Sequence, residues 1–271
     1  SMPFFDNEGV KIYYEIEGEG PPLIMIHGFA ANIEANWKTT NWVDVLKNDY
    51  KLILVDCRGH GKSDKPKDAT QYGEKMNEDI VKLLDHLSIE KANFFGYSMG
   101  ARITTDILLQ KQERFISAII GGFPLCFPRK GTRLIVKVMM KKWIKSLKKA
   151  DLDDIKNKAA LRFRKAILEF ADSQLQDPEA LVYVLEGDLQ RPDGLLPTSP
   201  KRKEALKKVK VPVINVFGAE DSILKRSKST GIQLVPDSCY FQIEGKDHIT
   251  VVSDPKFHMM VKAFLDYINK N

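Results

Sequence analysis

Asn93-Phe94-Phe95-Gly96-Tyr97-Ser98-Met99-Gly100 carries the strongest signal in the chain. An apolar run ends in Gly-x-Ser-x-Gly, and a helical pattern of apolar residues begins at Met99 and continues to Gln112. Between a strand and a helix this pentapeptide reads as a sharp elbow. The serine takes a strained backbone conformation, and the glycines on either side let strand and helix approach closely. The hydroxyl is then presented at the carboxyl edge of a sheet, beside the first N–H groups of the following helix, which stabilise developing negative charge. The stretch predicts a parallel strand, a nucleophilic Ser98 and a helix, in that order.

Outward from Ser98, strand-like and helix-like segments alternate, as in a mostly parallel sheet covered on both faces. Strands are expected at Val10–Glu17, Leu23–His27, Lys51–Asp56, Asn93–Phe95, Ser117–Gly121, Val211–Gly218 and Tyr240–Ile243. Several are unbroken apolar runs, which suit strands buried on both faces. Helices are expected at Tyr72–Leu87, with apolar residues at 76, 80, 83, 84 and 87, at Met99–Gln112 and at Pro255–Ile268. From Gly122 to about Pro200 the strand signal gives way to helical patterns with charged faces. This divides the chain into a core of residues 1–122 and 201–271 and a helical insertion of residues 123–200. No internal repeat is evident.

A chain of 271 residues, 43% hydrophobic and 29% charged with 17 Gly and 13 Pro, can bury a sizeable core and is neither disordered nor collagen-like. Its apolar runs, such as Leu23–Ile26 and Leu52–Val55, fall far short of the roughly 20 residues a helix needs to span a bilayer. Ser1 ahead of Met2 reads as a remnant of an expression tag, and no secretory signal is visible. Three cysteines far apart, Cys57, Cys126 and Cys239, fit free thiols in a reducing compartment, so a cytoplasmic location is expected. The net charge of +6 is unevenly spread: residues 123–210 hold 21 basic and 11 acidic side chains, and the remainder is net negative.

A serine hydroxyl is a weak nucleophile near neutral pH and needs a general base held by an acceptor. Of the five histidines, His86 and His258 fall inside helical patterns, while His27 and His60 sit at a strand end and in a glycine turn, where they shape loops. His248 follows the last strand and the turn Gly245-Lys246-Asp247, and is the expected base. Asp221, in Gly218-Ala219-Glu220-Asp221 after the preceding strand, is the first choice of acceptor, Glu220 the second and Asp247 the third. In this arrangement His248 removes the Ser98 proton as the hydroxyl attacks an ester carbonyl. Asp221 holds the imidazole, and water repeats the step on the acyl enzyme. The oxyanion needs two donors, expected to be the N–H of Met99, next to the nucleophile, and that of Phe29, in the loop after Leu23–His27.

Five blocks then follow one another: His27-Gly28-Phe29, Asp56-Cys57-Arg58-Gly59-His60-Gly61-Lys62-Ser63, Gly96-Tyr97-Ser98-Met99-Gly100, Gly218-Ala219-Glu220-Asp221 and Gly245-Lys246-Asp247-His248. In these blocks, and in the chain order serine, acid, histidine, the sequence resembles the α/β-hydrolase fold family, in its single-domain esterase, lipase and haloperoxidase-like group, over nearly its whole length. The resemblance implies an α/β class fold with a mostly parallel central sheet flanked by helices and a helical lid insertion. It also implies a structural role for the turn Asp56 to Ser63. The chain departs from the pattern at Asp247, where such loops often have Gly before the histidine. Its oxyanion loop is His-Gly-Phe rather than the multi-glycine form of some lipases. Relatives that hydrolyse haloalkanes or epoxides carry aspartate at the elbow, so Ser98 argues against those activities. Carbon–carbon hydrolases, perhydrolases and some peptidases keep the serine.

Within the insertion, Arg133–Lys149 reads as an amphipathic helix with Ile135, Val136, Met139, Met140, Trp143, Ile144 and Leu147 on one face and Lys137, Lys141, Lys145 and Lys148 on the other. A second helix is expected over Ile155–Ala171, and Leu181–Leu185 adds another apolar face. The expected role is a lid whose lysines are solvated. Phe29, Trp37, Met99, Phe123, Phe127 and Trp143 are the expected pocket walls. The expected activity is that of a serine carboxylesterase for small to medium apolar acyl esters, with no metal and no organic cofactor. The alternatives are a carbon–carbon or thioester hydrolase or perhydrolase with the same three residues, and a non-enzymatic, receptor-like ligand-binding member of the fold. The expected partner is a small-molecule acyl substrate and not nucleic acid, since no zinc spacing or aromatic RNA-binding motif is present. Vesicle binding through the basic insertion is expected to be weak or absent, and the protein to be a monomer or small homo-oligomer.

Overall fold

The unbroken apolar runs become interior strands because both of their faces are covered. In the computed structural model, which describes residues 3–127, 132–170, 175–191 and 199–271, the chain begins with β1 (Phe4–Asn7), β2 (Val10–Glu17), β3 (Pro22–Ile26), α1 (Trp42–Leu46) and β4 (Lys51–Val55). It continues through α2 (Glu74–His86), β5 (Ala92–Tyr97), α3 (Met99–Gln110) and β6 (Phe115–Gly121). Four helices follow: α4 (Thr132–Leu147), α5 (Lys158–Phe170), α6 (Pro178–Leu189) and α7 (Pro200–Lys207). β7 (Val213–Gly218), α8 (Ser222–Ser227), β8 (Ser238–Ile243) and α9 (Pro255–Asn269) complete it. One eight-stranded sheet has the order β1-β2-β4-β3-β5-β6-β7-β8. β1 and β2 pair antiparallel, and every pairing from β4 to β8 is parallel.

Alternate residues of each interior strand enter opposite cores, as the two-residue period of a strand requires. Ile24, Ile26, Ile53, Val55 and Phe94 pack on one side with α2 and α3. Leu23, Met25, Leu52, Leu54 and Phe95 pack on the other with Trp42 of α1 and Phe257, Val261 and Leu265 of α9. Several elements differ from expectation. The edge strand β1 and the five-residue α1 are too short to show a period, and α7 is dominated by charged residues. Its start is fixed by Pro200 in its first turn and by Ser199, whose hydroxyl accepts the Arg202 N–H. β7 begins two residues later than expected, after Pro212, which has no N–H for a neighbouring strand. All three cysteines are unpaired, with Cys57 and Cys126 buried and Cys239 exposed. Among the described residues no helix is long and apolar enough to cross a membrane.

Between β6 and β7, helices α4, α5 and α6 share a small apolar cluster of their own: Met140, Ile144 and Leu147, then Ile167, then Leu181, Val182 and Leu185, closed by Ala30. Ile135, expected on the covered face of α4, is instead exposed with Leu134 and Val138. The helix is covered along the stripe of Met140, Ile144 and Leu147, and Ile135 lies well to one side of it. α5 begins at Lys158, three residues later than expected, and Ala171 lies outside the described residues. The end of α6 and the start of α7 are fastened to α3 by charge. Asp106, fully buried, meets Arg202 at 2.7 Å, Arg191 at 2.7 Å and Arg102 at 3.0 Å. Asp188 and Glu74 balance the arginines from α6 and α2. Burial alone raises a carboxyl pKa, but Arg202, Arg191 and Arg102 together hold Asp106 below its ordinary 3.8.

Candidate active site

β5 ends at Tyr97 and α3 starts at Met99, so one residue makes the turn. Ser98 takes φ 55° and ψ −111°, a left-handed backbone that costs a non-glycine residue of order 1–3 kcal/mol. The glycines on either side are needed for close approach. A Cβ on Gly96 would collide with the carbonyl of Gly100, and one on Gly100 with the carbonyl of Ile26. The elbow is closed by the Ser98 N–H, which donates to Gly121 O at 2.8 Å. Ser98 stands where a helix-capping side chain would, yet its hydroxyl makes no capping bond.

That hydroxyl lies 2.9 Å from His248 Nε2, and His248 Nδ1 lies 2.7 Å from Asp221 Oδ2. A carboxylate only accepts, so Nδ1 carries the proton and Nε2 is free to accept from the serine. Asp221 is fully buried and the imidazole is 30% exposed, so the row runs from the interior to the surface. The other oxygen of Asp221 accepts the Ile223 N–H at 2.8 Å and caps α8, which locks the carboxylate plane. The two alternative acids lie elsewhere: Glu220 pairs with Lys225 at 2.6 Å. Asp247 Oδ1 accepts the N–H groups of Ile249 and Thr250 and the Thr250 hydroxyl, building the turn that presents His248. Tyr97 completes the support. Its hydroxyl donates to the His248 carbonyl at 2.5 Å, and its ring lies 5.3 Å from the imidazole.

The loop after β3 is held against this row by the turn Asp56 to Ser63. Asp56 accepts the N–H groups of Ile33 and Lys62, and Asn36 Oδ1 accepts that of Gly28. His60 Nε2 accepts the Ala30 N–H at 2.9 Å while its Nδ1–H donates to Arg58 O. His27 Nε2 likewise accepts the Cys57 N–H, and its Nδ1–H donates to Gly28 O. Burial lowers both imidazole pKa values, that of His60 to about 3 with help from neighbouring His27, so both stay neutral acceptors in the loop. Gly28 and Ala30 thus have partners, whereas among the described residues the N–H groups of Phe29 and Met99 have no protein acceptor.

The expected pocket residues divide. The Phe29 ring stacks on Phe163 of α5, with centroids 6.0 Å apart, and Phe163 stacks on Trp143 of α4 at 4.6 Å. Phe123 and Phe127 meet edge to face at 5.8 Å beside the first core, and Met99 is buried there too. Trp37 is no pocket wall. The helical turn Glu34–Lys38 directs it under the sheet, where it is fully buried against Phe95 and Trp42. Among the other histidines, His86 packs on Phe5 at the surface, and His258 Nε2–H donates to Thr40 O. Sequence reasoning missed Tyr97, Asn36 and Phe163. Tyr97 lies inside the elbow motif, but its partner is 151 residues away, and no local spacing marks any of the three.

Known proteins resemble this chain in sequence and fold. A family model described as alpha/beta hydrolase fold matches residues 21–255. A pimeloyl-[acyl-carrier protein] methyl ester esterase of Aliivibrio fischeri is 25% identical over 260 residues, covering 94% of this chain and 98% of that protein. A 3-oxoadipate enol-lactonase of Acinetobacter baylyi is 30% identical over 123 residues, 45% of each chain. The crystal structure of an enol-lactonase from Burkholderia xenovorans superposes with a TM-score of 0.74 at 19% identity, covering 97% of this chain and 99% of that one. With elbow, sheet order and matched span in agreement, the chain belongs to the α/β hydrolase fold family.

Proposed function

We propose that the protein is a serine hydrolase, a carboxylesterase for small to medium apolar acyl esters. The observation that carries this reading is the hydrogen-bonded row of Asp221, His248 and Ser98 at the end of β5. Ser98 Oγ attacks the ester carbonyl carbon while its proton passes to His248 Nε2, and Asp221 stabilises the imidazolium. The carbonyl oxygen, now negative, takes the N–H groups of Phe29 and Met99, and the amino end of α3 adds its partial positive charge. Collapse breaks the bond to the alkoxy group, which leaves as the alcohol with the proton from His248. Water, deprotonated by the same imidazole, then releases the acid and restores Ser98.

Helices α4 to α6, within the insertion of residues 123–200, act in this reading as a cap over the active site, with the stack of Phe29, Phe163 and Trp143 forming an apolar wall for the acyl chain. Relatives named for methyl ester and enol-lactone hydrolysis support it, since both reactions are acyl transfers to water. Hydrolysis of a p-nitrophenyl ester series by the wild type and by Ser98→Ala tests it. The variant is expected to lose about 10⁴-fold or more in turnover, and a fluorophosphonate is expected to label Ser98 in the wild type alone. Equal activities would remove Ser98 from the mechanism.

A further inference from the structure

The outward face of α4 joins two kinds of surface. Leu134, Ile135 and Val138 are 68%, 57% and 45% exposed. The stripe through Leu134 and Val138 continues, at helical spacing, into Lys141, Lys145 and Lys148, with Lys142 beside them, all exposed. Lys148 lies 3.7 Å from Glu186, and Arg226 of α8 reaches Met139 on the flank. Between Thr132 and Lys165 the sequence has 12 basic side chains against the acidic Asp151, Asp153 and Asp154, which follow the end of α4. The opposite face of the helix is covered through Met140, Ile144 and Leu147, and among the described residues Leu134, Ile135 and Val138 of the outward one are exposed.

We propose that this face docks on an anionic lipid surface, with Leu134, Ile135 and Val138 entering the acyl boundary and the lysines meeting headgroup phosphates. The two halves fit that occupant together: lysines are drawn to a negative surface, and aliphatic side chains gain only where hydrocarbon lies beneath it. The sequence expectation of weak or absent vesicle binding placed Ile135 on the covered face, where it could not take part. The proposal goes beyond the hydrolase reading and stands without it.

Co-sedimentation with phosphatidylcholine vesicles and with mixed phosphatidylcholine–phosphatidylglycerol vesicles, at low and physiological salt, tests it. The wild type is expected to sediment with the mixed vesicles at physiological salt and to stay in solution with phosphatidylcholine alone. The variant L134S/I135S/V138S is expected to bind at least about tenfold more weakly at physiological salt, and K141E/K145E to lose binding at both salts. A Tm unchanged in both variants shows that they are folded. Failure of the wild type to bind mixed vesicles overturns the proposal. So does binding that survives the triple serine variant, which would reduce the face to general attraction for polyanions, an acidic protein included.

Discussion

Single atoms decide how firmly the candidate base, His248, is held. Burial pushes the Tyr97 phenol well above its ordinary 10, so it remains a donor to the His248 carbonyl at any working pH. Tyr97→Phe removes that donor and nothing else. A hydrogen bond of this kind contributes a net of about 1 kcal/mol, so kcat for a short ester is expected to fall by about fivefold to tenfold with KM and Tm nearly unchanged, read by steady-state kinetics. His60 sets an acid limit. The unfolded chain takes up a proton near the ordinary 6.5 and the folded chain only near about 3. Below pH 6.5 the unfolded state therefore binds more protons, and the stability contributed by neutral His60 is lost as pH falls toward 3. Thermal midpoints measured across that window are expected to drop with pH, and less steeply in His60→Gln. The candidate triad was legible because each member sits at a strand end in a recognisable turn. The bonds from Tyr97 to His248 and from Asn36 to Gly28 were not, since a lone tyrosine or asparagine carries no mark of the carbonyl or N–H it will meet.

At the scale of elements, strands were readable because burial on both faces leaves a plain apolar run, as at Leu52–Val55. Helix faces were less so. In α4 apolar residues occupy more than half the circumference, and only packing against α5 and α6 decides that Met140 is covered and Ile135 is not. Trp37 teaches the same lesson, because one irregular turn at Glu34–Lys38 sends it to the far side of the sheet. The stack of Phe29, Phe163 and Trp143 joins a loop to two helices, and a test follows. Phe163→Ala is expected to lower kcat/KM on the order of tenfold for long acyl esters and much less for acetyl esters, measured over an acyl-chain series. A uniform loss across the series would move the acyl wall elsewhere.

For the whole molecule, the charge cluster around Asp106 joins α2, α3, α6 and α7. Asp106→Asn leaves three arginines short of a buried counter-charge. A loss of about 3–5 kcal/mol is expected, seen as a lower urea midpoint at unchanged slope. An unchanged midpoint would show that the cluster contributes specificity without stability. The same cluster ties the end of α6 and the start of α7 to α2 and α3 along one margin of the insertion. On the proposed cap reading, a cover bolted along one margin is expected to swing on it, so that an ester would enter from the opposite, α4–α5 side, past the aromatic jamb of Phe29, Phe163 and Trp143.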